Sequence, residues 1–239
     1  FSVDAIIDLS NKNIEKLKSM GYKGKLYLET TLVDEDLIKT ININTLNKSR
    51  MDSKDKKILF LSRVEKEKGI YKVLNIYKEL KKQDNSYMLV YAGDGNELEN
   101  LKNKIRKSKI KDVFFEGFVT GIKKKELLNS ANIFILLSDF EGMPNAVLEA
   151  MAFGIPVITT NVGGISAIFE NNRNGMLVNS YQKKQIISFI KKIFIDNKQY
   201  TTISKTNYDD MKIKTWSKVV CKRIEKIFLD IEREKTCAE

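Results

Sequence analysis

The chain has 239 residues, of which 42% are hydrophobic and 31% are charged, and it contains no histidine. This composition is ordinary for one large α/β domain or one domain with appendages, and no apolar run reaches the roughly 18 residues that a membrane helix needs. The lack of histidine excludes Ser-His-Asp and Cys-His catalysis and the common zinc sites, so any chemistry must use carboxylates, lysine, arginine and the backbone.

The net charge of +11 raises the question of a nucleic-acid or anionic-membrane partner. Only six of the 42 basic residues are arginine, whereas a dedicated nucleic-acid site usually clusters arginine with aromatic side chains. We therefore favour lysines spread over solvated helix faces and predict no nucleic-acid partner. A peripheral membrane contact stays open, because lysine alone can supply it. Cys221 and Cys237 form neither a disulfide framework nor a zinc spacing, which favours a reducing cytoplasm.

The first 53 residues are predicted to form a short α/β unit and a linker. We expect a strand over 3–9, a helix over 11–20, a strand over 25–28 and a loose loop or linker over 30–53. Asp34-Glu35-Asp36 matches an acidic metal motif of one class of sugar transferases. Acidic residues before a short helical turn are more simply explained by the helix dipole, so we give this motif little weight.

From Lys56 onward, predicted strands alternate with predicted helices. The strands cover 57–61, 87–92, 112–115, 133–137, 155–159 and 175–178. The helices cover 70–82, 96–108, 123–130, 144–153, 182–195 and 209–234, with a short helix from Ile165. This alternation predicts an α/β fold with a doubly wound, Rossmann-like parallel sheet and right-handed crossovers.

The stretch from Ser138 to Gly164 carries the strongest functional signal. Pro144 is predicted at the first position of a helix, and Met143 before it cannot cap the helix. Uncapped N–H groups that follow a buried parallel strand form an anion site. Glu141 in the loop and Glu149 in the helix are suited to holding hydroxyls, so phosphate plus polyol suggests a sugar nucleotide. The alternative is a surface acid and an unrelated helix-face acid.

Two cations follow the first strand of the larger unit. Arg63 and Lys68 lie five residues apart in the loop after that strand, where a doubly wound sheet binds its ligand. Arginine and lysine together can clamp a diphosphate. The alternative is a surface loop, because Glu65, Lys66 and Glu67 make it rich in mixed charge.

Two glycine turns are expected at the same edge of the sheet. Gly93-Asp-Gly95 resembles the start of a dinucleotide fingerprint, but Leu98 replaces its third glycine, so it is either a turn near a ligand or merely a turn. Gly117 could bring backbone close to a base on which Phe118 packs. Core packing of Phe118 is the alternative.

In combination, these motifs resemble the family-4 retaining glycosyltransferases of the GT-B fold. The matching motifs are Ser-Arg63 to Glu-Lys68-Gly69, Ala-Gly93-Asp-Gly95, Phe-Glu-Gly117-Phe-Val, and the stretch from Glu141 to Glu149 that carries the E-x7-E signature. The resemblance covers residue 56 to the C-terminal helix and, less clearly, 3–33. It implies a C-terminal donor-binding domain over 54–208, the end of an N-terminal acceptor domain and a linker over 1–53, and a final helix over 209–239 that crosses back.

The resemblance also implies a role for each motif. Arg63 and Lys68 would neutralise the donor diphosphate, Glu141 would bind the donor-sugar hydroxyls, and Glu149 would bind those of the ribose. Phosphate would lie against the backbone of Gly142, Met143, Pro144, Asn145 and Ala146, and the remaining nucleotide contacts would come from Gly93, Gly117, Phe118 and Val119.

The implied reaction is a hexosyl transfer with retained configuration from a UDP- or GDP-sugar to a glycan or lipid-linked acceptor. Helix dipole and cations would take the leaving-group charge, so neither a metal nor a cofactor is expected. By analogy, the reaction would build a bacterial surface polysaccharide, in the cytoplasm or at the inner face of the plasma membrane.

Some parts of the family pattern are absent. Relatives often carry Pro-Asn-Gly before Val33, where this chain has Glu29-Thr30-Thr31-Leu32, and the glycine-rich loop, acceptor residues and histidine of the N-terminal half are missing. Because the chain opens at Phe1 inside an expected strand, it looks like a piece of a longer protein that binds nucleotide without turnover. The alternatives are a non-transferring sugar-nucleotide enzyme such as an epimerase, and a non-catalytic basic binding domain.

Overall fold

The computed structural model describes residues 3, 5–31, 33, 39–214 and 217–238. The strands are β1 (Ala5–Asp8), β2 (Lys25–Leu28), β3 (Lys56–Leu61), β4 (Tyr87–Ala92), β5 (Val113–Gly117), β6 (Ile133–Leu136), β7 (Val157–Thr160) and β8 (Gly175–Val178). The helices are α1 (Asn11–Ser19), α2 (Ile43–Asp52), α3 (Ile70–Gln83), α4 (Leu98–Lys107), α5 (Gly121–Ser130), α6 (Asn145–Ala152), α7 (Lys183–Ile195), α8 (Asn197–Lys214) and α9 (Ser217–Ala238). The acidic motif Asp34-Glu35-Asp36 lies outside the described residues.

Six strands form one parallel sheet in the order β5-β4-β3-β6-β7-β8, and β1 and β2 pair in parallel in a second, small sheet. The predicted doubly wound α/β fold is therefore confirmed. The strand order changes direction between β3 and β6. In such sheets the ligand crevice opens at this switch point, outside the carboxyl ends of the strands.

The core is built from strands that are buried on both faces. All four residues of β6 are buried, as are Ile58 to Leu61 of β3, which is the burial expected in the middle of a parallel sheet covered by helices. Helix α3 adds the apolar stripe that its sequence predicts. This rigid centre fixes the ends of β3 and β6, from which the predicted site residues project.

The predicted linker over 30–53 is wrong in its second half, where α2 forms. The side chain of Asn42 caps this helix by accepting two backbone N–H groups at 3.1 Å. Arg50 is buried and donates to three backbone carbonyls, at 2.8 to 3.0 Å. Those carbonyls belong to Leu128, Asn129 and Phe153. Because hydrogen bonds of this kind hold α2 in place, its sequence lacks the apolar period from which a helix can be predicted.

The terminal helix predicted over 209–234 is also wrong at its start, because α8 already begins at Asn197 and covers Asn197–Lys214, before α9 covers Ser217–Ala238. Helix α8 is anchored by buried polar residues: Asn207 donates to the carbonyls of Ile155 and Asn174 at 2.9 Å. Asp210 accepts a bidentate pair from Arg173. Helix α9 then contacts the N-terminal unit, where Arg223 forms a bidentate pair with Glu29 at 2.8 to 3.1 Å. Within the described residues, no helix is long and apolar enough to span a membrane.

Candidate functional site

The candidate site lies where the loops after β3 and β6 meet. Asp139 donates its backbone N–H to the carbonyl of Glu67 at 2.7 Å, and its side chain pairs with Lys72 of α3. The first contact fastens the β6–α6 loop to the β3–α3 loop at the switch point, and the second fastens it to the first turn of α3. Two motifs that are 73 residues apart in sequence therefore share one surface.

Glu141 and Lys68 form the centre of this surface. The Nζ of Lys68 donates to Oε1 of Glu141 at 2.8 Å, and the two side chains are only 11% and 12% exposed. The hydroxyl of Ser138 donates to the same oxygen at 2.6 Å. Within the described part of the chain, no hydrogen bond reaches Oε2, so one carboxylate oxygen stays available to a ligand.

The loop that carries Glu141 rests on two glycines that the sequence analysis left unassigned. Gly163 has φ +64°, and a Cβ there would lie 2.2 Å from the carbonyl oxygen of Gly142. Gly164 donates its N–H to the same carbonyl at 2.7 Å. Only glycine fits this backbone conformation at such close approach. In the sequence, the signal for this structural role was a pair of adjacent glycines after β7, at the edge of the sheet where ligand-binding loops lie.

Helix α6 begins without a side-chain cap, as predicted, but one residue later than expected. Pro144 is the N-cap rather than the first helical residue, since its carbonyl accepts from Val147 at 2.9 Å. The side chain of Asn145 accepts from the hydroxyl of Thr31 at 2.6 Å, so the N-terminal unit touches the helix start. Because no side chain caps the N-terminus of α6, its first backbone N–H groups are suited to binding an anion.

Glu149 lies one turn further along α6 and is paired with a lysine that the sequence analysis did not single out. The Nζ of Lys124 in α5 donates to Oε1 of Glu149 at 2.7 Å, with side chains 21% and 18% exposed. This contact ties the carboxylate to the helix that follows the β5 loop. No spacing rule predicts it, because the partners are 25 residues apart and the strand β6 lies between their helices.

Arg63 lies in the same loop as Lys68 but is oriented differently. Its side chain is 67% exposed and pairs with Glu65 at 2.9 Å, and its guanidinium makes no other hydrogen bond or ion pair within the described residues. The loop is pinned by Glu97, which pairs with Lys66 at 3.2 Å and accepts from Tyr71 at 2.6 Å. The hydrogen bond from Tyr71 lowers the pKa of Glu97, and burial together with Glu97 raises the pKa of Tyr71 to about 12.

Gly93 and Gly117 join the ends of β4 and β5. The N–H of Gly93 donates to the carbonyl of Gly117 at 2.7 Å, and a Cβ on Gly93 would lie 1.9 Å from the carbonyl oxygen of Ser62. Phe118 is 80% exposed, so the alternative of core packing is wrong. Val119 is 7% exposed and belongs to the core, so its side chain cannot face a base.

A cavity of about 900 Å³ opens beside Glu141 and Gly142, the two predicted site residues that line it. Its other wall is the N-terminal unit, with Asp8, Asn13 and Lys16 among the lining residues. Phe140, 76% exposed, also lines it. Within the described residues, no three His, Cys, Asp or Glu side chains are grouped closely enough to hold a metal ion.

Residues 42–210 match the family model described as "Glycosyl transferases group 1". The amylovoran biosynthesis glycosyltransferase AmsK of Erwinia amylovora is 33% identical over 128 residues, which are 51% of this chain and 31% of AmsK. The uncharacterized glycosyltransferase MJ1607 of Methanocaldococcus jannaschii is 34% identical over 125 residues, 52% of this chain and 32% of that protein. The matched part spans about a third of the length of the first curated relatives.

Solved structures share the fold. Anabaena Alr3699/HepE in complex with UDP and glucose superposes with a TM-score of 0.77 at 19% identity, over 95% of this chain and 63% of that one. The C-terminal domain of LpcC, a glycosyl transferase group 1 family protein from Francisella tularensis, gives 0.64 at 23% identity, over 76% of this chain and 97% of that one. The predicted GT-B type of fold is thereby confirmed, while the domain boundaries stay a prediction.

Proposed function

Because this chain belongs to the glycosyl transferases group 1 family, we propose that it is the C-terminal, donor-binding part of a retaining family-4 glycosyltransferase. The observation that carries the proposal is the Lys68–Glu141 pair, 2.8 Å apart at the switch point of the sheet and next to the uncapped start of α6. A cation, a helix N-terminus and a carboxylate with one free oxygen are together suited to a diphosphate joined to a sugar.

Each part of the donor has a matching group. Glu141 offers Oε2 to a hydroxyl of the transferred sugar, and Glu149 offers Oε2 to the ribose. Lys68 and the backbone N–H groups at the start of α6 face the diphosphate, and Arg63 turns in from solvent to join them. Phe118 supplies an exposed ring for the base, with the backbone of Gly117 beside it and Gly93 closing the turn underneath.

In the proposed reaction, the bond between the sugar C1 and the diphosphate breaks, the oxygen of an acceptor hydroxyl forms the new bond on the same face of the sugar, and the proton of that hydroxyl passes to the departing diphosphate. The negative charge that develops on the leaving diphosphate is stabilised by Lys68, Arg63 and the α6 dipole, without a metal. The acceptor hydroxyl reaches Glu141 from the cavity of about 900 Å³. Polar walls and the exposed ring of Phe140 are suited to a carbohydrate.

The names of similar proteins support a nucleotide-sugar donor and a polysaccharide product. HepE was solved with UDP and glucose, and AmsK is named for amylovoran biosynthesis. We propose a UDP- or GDP-hexose as donor, a glycan or lipid-linked acceptor of a bacterial surface polysaccharide, and a cytoplasmic enzyme working near the inner membrane face. The acceptor-binding domain is expected from a segment beyond this chain.

A thermal-shift titration tests the proposal. We expect UDP or GDP, together with the corresponding UDP- or GDP-sugar, to raise the melting temperature of the chain, because a ligand that binds only the folded state stabilises it. ADP-sugars are included in the screen for comparison. Lys68→Ala should abolish the shift, whereas Lys66→Ala, in the same loop but 72% exposed, should keep it. The shift should be equal in EDTA and in magnesium.

The absence of a shift with any nucleotide would contradict the proposal. Salt-sensitive binding to polyanions without a nucleotide shift would favour the basic binding domain instead. Measurable sugar transfer by the 239-residue chain would contradict the expectation that it lacks turnover on its own.

A further inference from the structure

Among the described residues, the side chain of Ser138 has one hydrogen-bond partner, and that partner is a predicted site residue. Its hydroxyl donates to Oε1 of Glu141 at 2.6 Å, and the residue is only 1% exposed. The backbone carbonyl of Ser138 accepts from the hydroxyl of Thr160 at 2.6 Å, which fixes the end of β6 against β7. Ser138 is thus a rigid, buried donor aimed at one oxygen of one carboxylate.

This donor and Lys68 converge on the same oxygen. With the Lys68 ammonium at 2.8 Å and the Ser138 hydroxyl at 2.6 Å, Oε1 of Glu141 holds two hydrogen bonds from directions set by β3 and β6. Two fixed donors define the plane of the carboxylate, whereas a single lysine on a flexible stem does not. Oε2 has no hydrogen bond within the described residues, and Glu141 is one of the residues that line the cavity of about 900 Å³.

We infer that Ser138 is a positioning residue for sugar recognition: it locks the Glu141 carboxylate so that Oε2 accepts a hydroxyl of the transferred hexose. The inference rests on the proposed function for the identity of the ligand. The orientation of the Glu141 carboxylate can be tested on the protein without any ligand. Ser138 does not itself face the cavity, so it acts through Glu141. Its loss should therefore weaken recognition of the sugar and leave recognition of the nucleotide intact.

The matched control is a second buried serine. Ser204 is 0% exposed, and its hydroxyl donates a hydrogen bond, 2.7 Å long, to Asn47. It lies beside Gly154, at the far end of α6 from Glu141. Ser204→Ala therefore removes the same atom from an equally buried position without touching the site. Ser138→Thr keeps the hydroxyl and serves as the conservative variant.

The first experiment compares crystal structures of the wild-type chain and its variants without ligand. In Ser138→Ala, the Glu141 carboxylate should leave its plane or occupy two conformers, whereas in Ser138→Thr and Ser204→Ala it should stay in place. A Glu141 carboxylate that keeps one unchanged position in Ser138→Ala would overturn the inference. This result does not depend on which donor, if any, the protein uses.

The second experiment measures the affinity of the 239-residue chain for UDP and UDP-glucose, and for GDP and GDP-mannose, by calorimetry. For the pair that binds, Ser138→Ala should weaken the sugar nucleotide about tenfold and leave the nucleotide within twofold, the size expected for losing one oriented hydrogen bond to a charged group. Equal weakening of both ligands, as general structural damage would give, overturns the inference. If wild type binds none of the four while Ser138→Ala frees Glu141 in the crystal, the proposed function fails and the positioning role stands.

Discussion

Lys124 and Glu149 meet at 2.7 Å although they belong to different helices, α5 and α6. The pair joins α5, which follows Gly117 and Phe118 in the chain, to α6, which begins without a side-chain cap. Only Oε1 of Glu149 is used, and no hydrogen bond within the described residues reaches Oε2. A carboxylate held on one side and open on the other is the arrangement that the proposed ribose-binding role of Glu149 requires.

Glu149→Ala should therefore weaken binding of the nucleotide that stabilises the chain, UDP or GDP. Losing hydrogen bonds from two hydroxyls to a carboxylate costs about 2 kcal/mol, or roughly thirtyfold in affinity. The sharper measurement compares the nucleotide with its 2′,3′-dideoxy analogue by calorimetry. Wild type should bind the analogue roughly thirtyfold more weakly, and Glu149→Ala should bind both equally. Glu126→Ala, an exposed carboxylate on α5, is the control, and continued discrimination by Glu149→Ala would contradict the ribose role.

The Lys68–Glu141 pair should contribute to the free energy of unfolding as well as to ligand binding. Removing the ammonium leaves a carboxylate that is 12% exposed without its counter-charge, so Lys68→Met should lower the free energy of unfolding by about 3 kcal/mol. Lys68→Met combined with Glu141→Gln should recover most of that loss, because no unpaired charge remains. Urea unfolding of the single and double variants measures the interaction free energy between the two side chains.

The control for this cycle is Lys66→Met. Its ammonium is 72% exposed and pairs with Glu97 at 3.2 Å, so the loss should stay below about 0.5 kcal/mol. Additive effects of the Lys68 and Glu141 substitutions would show that the two side chains do not interact in solution.

The parts of the fold and of the candidate site that could be predicted from the sequence differ from the rest in the interactions that hold them in place. The strands and helices of the sheet were predicted within a few residues, because burial imposes an apolar pattern that can be read locally. The loops bearing Arg63, Glu141 and Gly117 were placed on one edge because parallel strands share a carboxyl end. Helices α2 and α8 were missed or misplaced because polar contacts between distant segments dock them. Lys124 and Gly163 were missed for the same reason, since their partners are remote in sequence. Ser138 was missed although Glu141 is only three residues away, because a serine in a loop carries no pattern that fixes where its hydroxyl points.

The contacts of Arg50, which dock the unpredicted helix α2, should contribute measurably to the free energy of unfolding. The Arg50 guanidinium donates to three carbonyls at 2.8 to 3.0 Å while buried, and burial lowers its pKa. Arg50→Lys should destabilise the fold by about 3 kcal/mol, because an ammonium cannot reach all three carbonyls and leaves buried acceptors unpaired. Lys48→Ala, exposed on the same helix, should change the free energy of unfolding by less than about 0.5 kcal/mol. Equal effects of the two substitutions in urea unfolding would show that α2 is not docked through Arg50.

Asp210 on α8 provides a pH-dependent test of the C-terminal docking. Burial alone would raise the pKa of its carboxyl, but hydrogen bonds from Arg173 and Asn174 outweigh burial and lower that pKa. Because the pKa is lower in the folded than in the unfolded chain, the carboxylate stabilises the fold above its unfolded pKa of about 3.9. That stabilisation is lost as the pH falls through the folded pKa.

Asp210→Asn should therefore cost about 2 kcal/mol at pH 7, where the bidentate pair with Arg173 is intact. The difference from wild type should shrink below about pH 4, as wild type loses the same charge. Urea unfolding between pH 3 and 7 measures this, with Asp209→Asn as the control, since its side chain is exposed on the same helix. A loss of equal size at pH 3 and pH 7 would mean that shape rather than charge docks α8. A loss that grows towards low pH would reverse the sign of the folded-state shift.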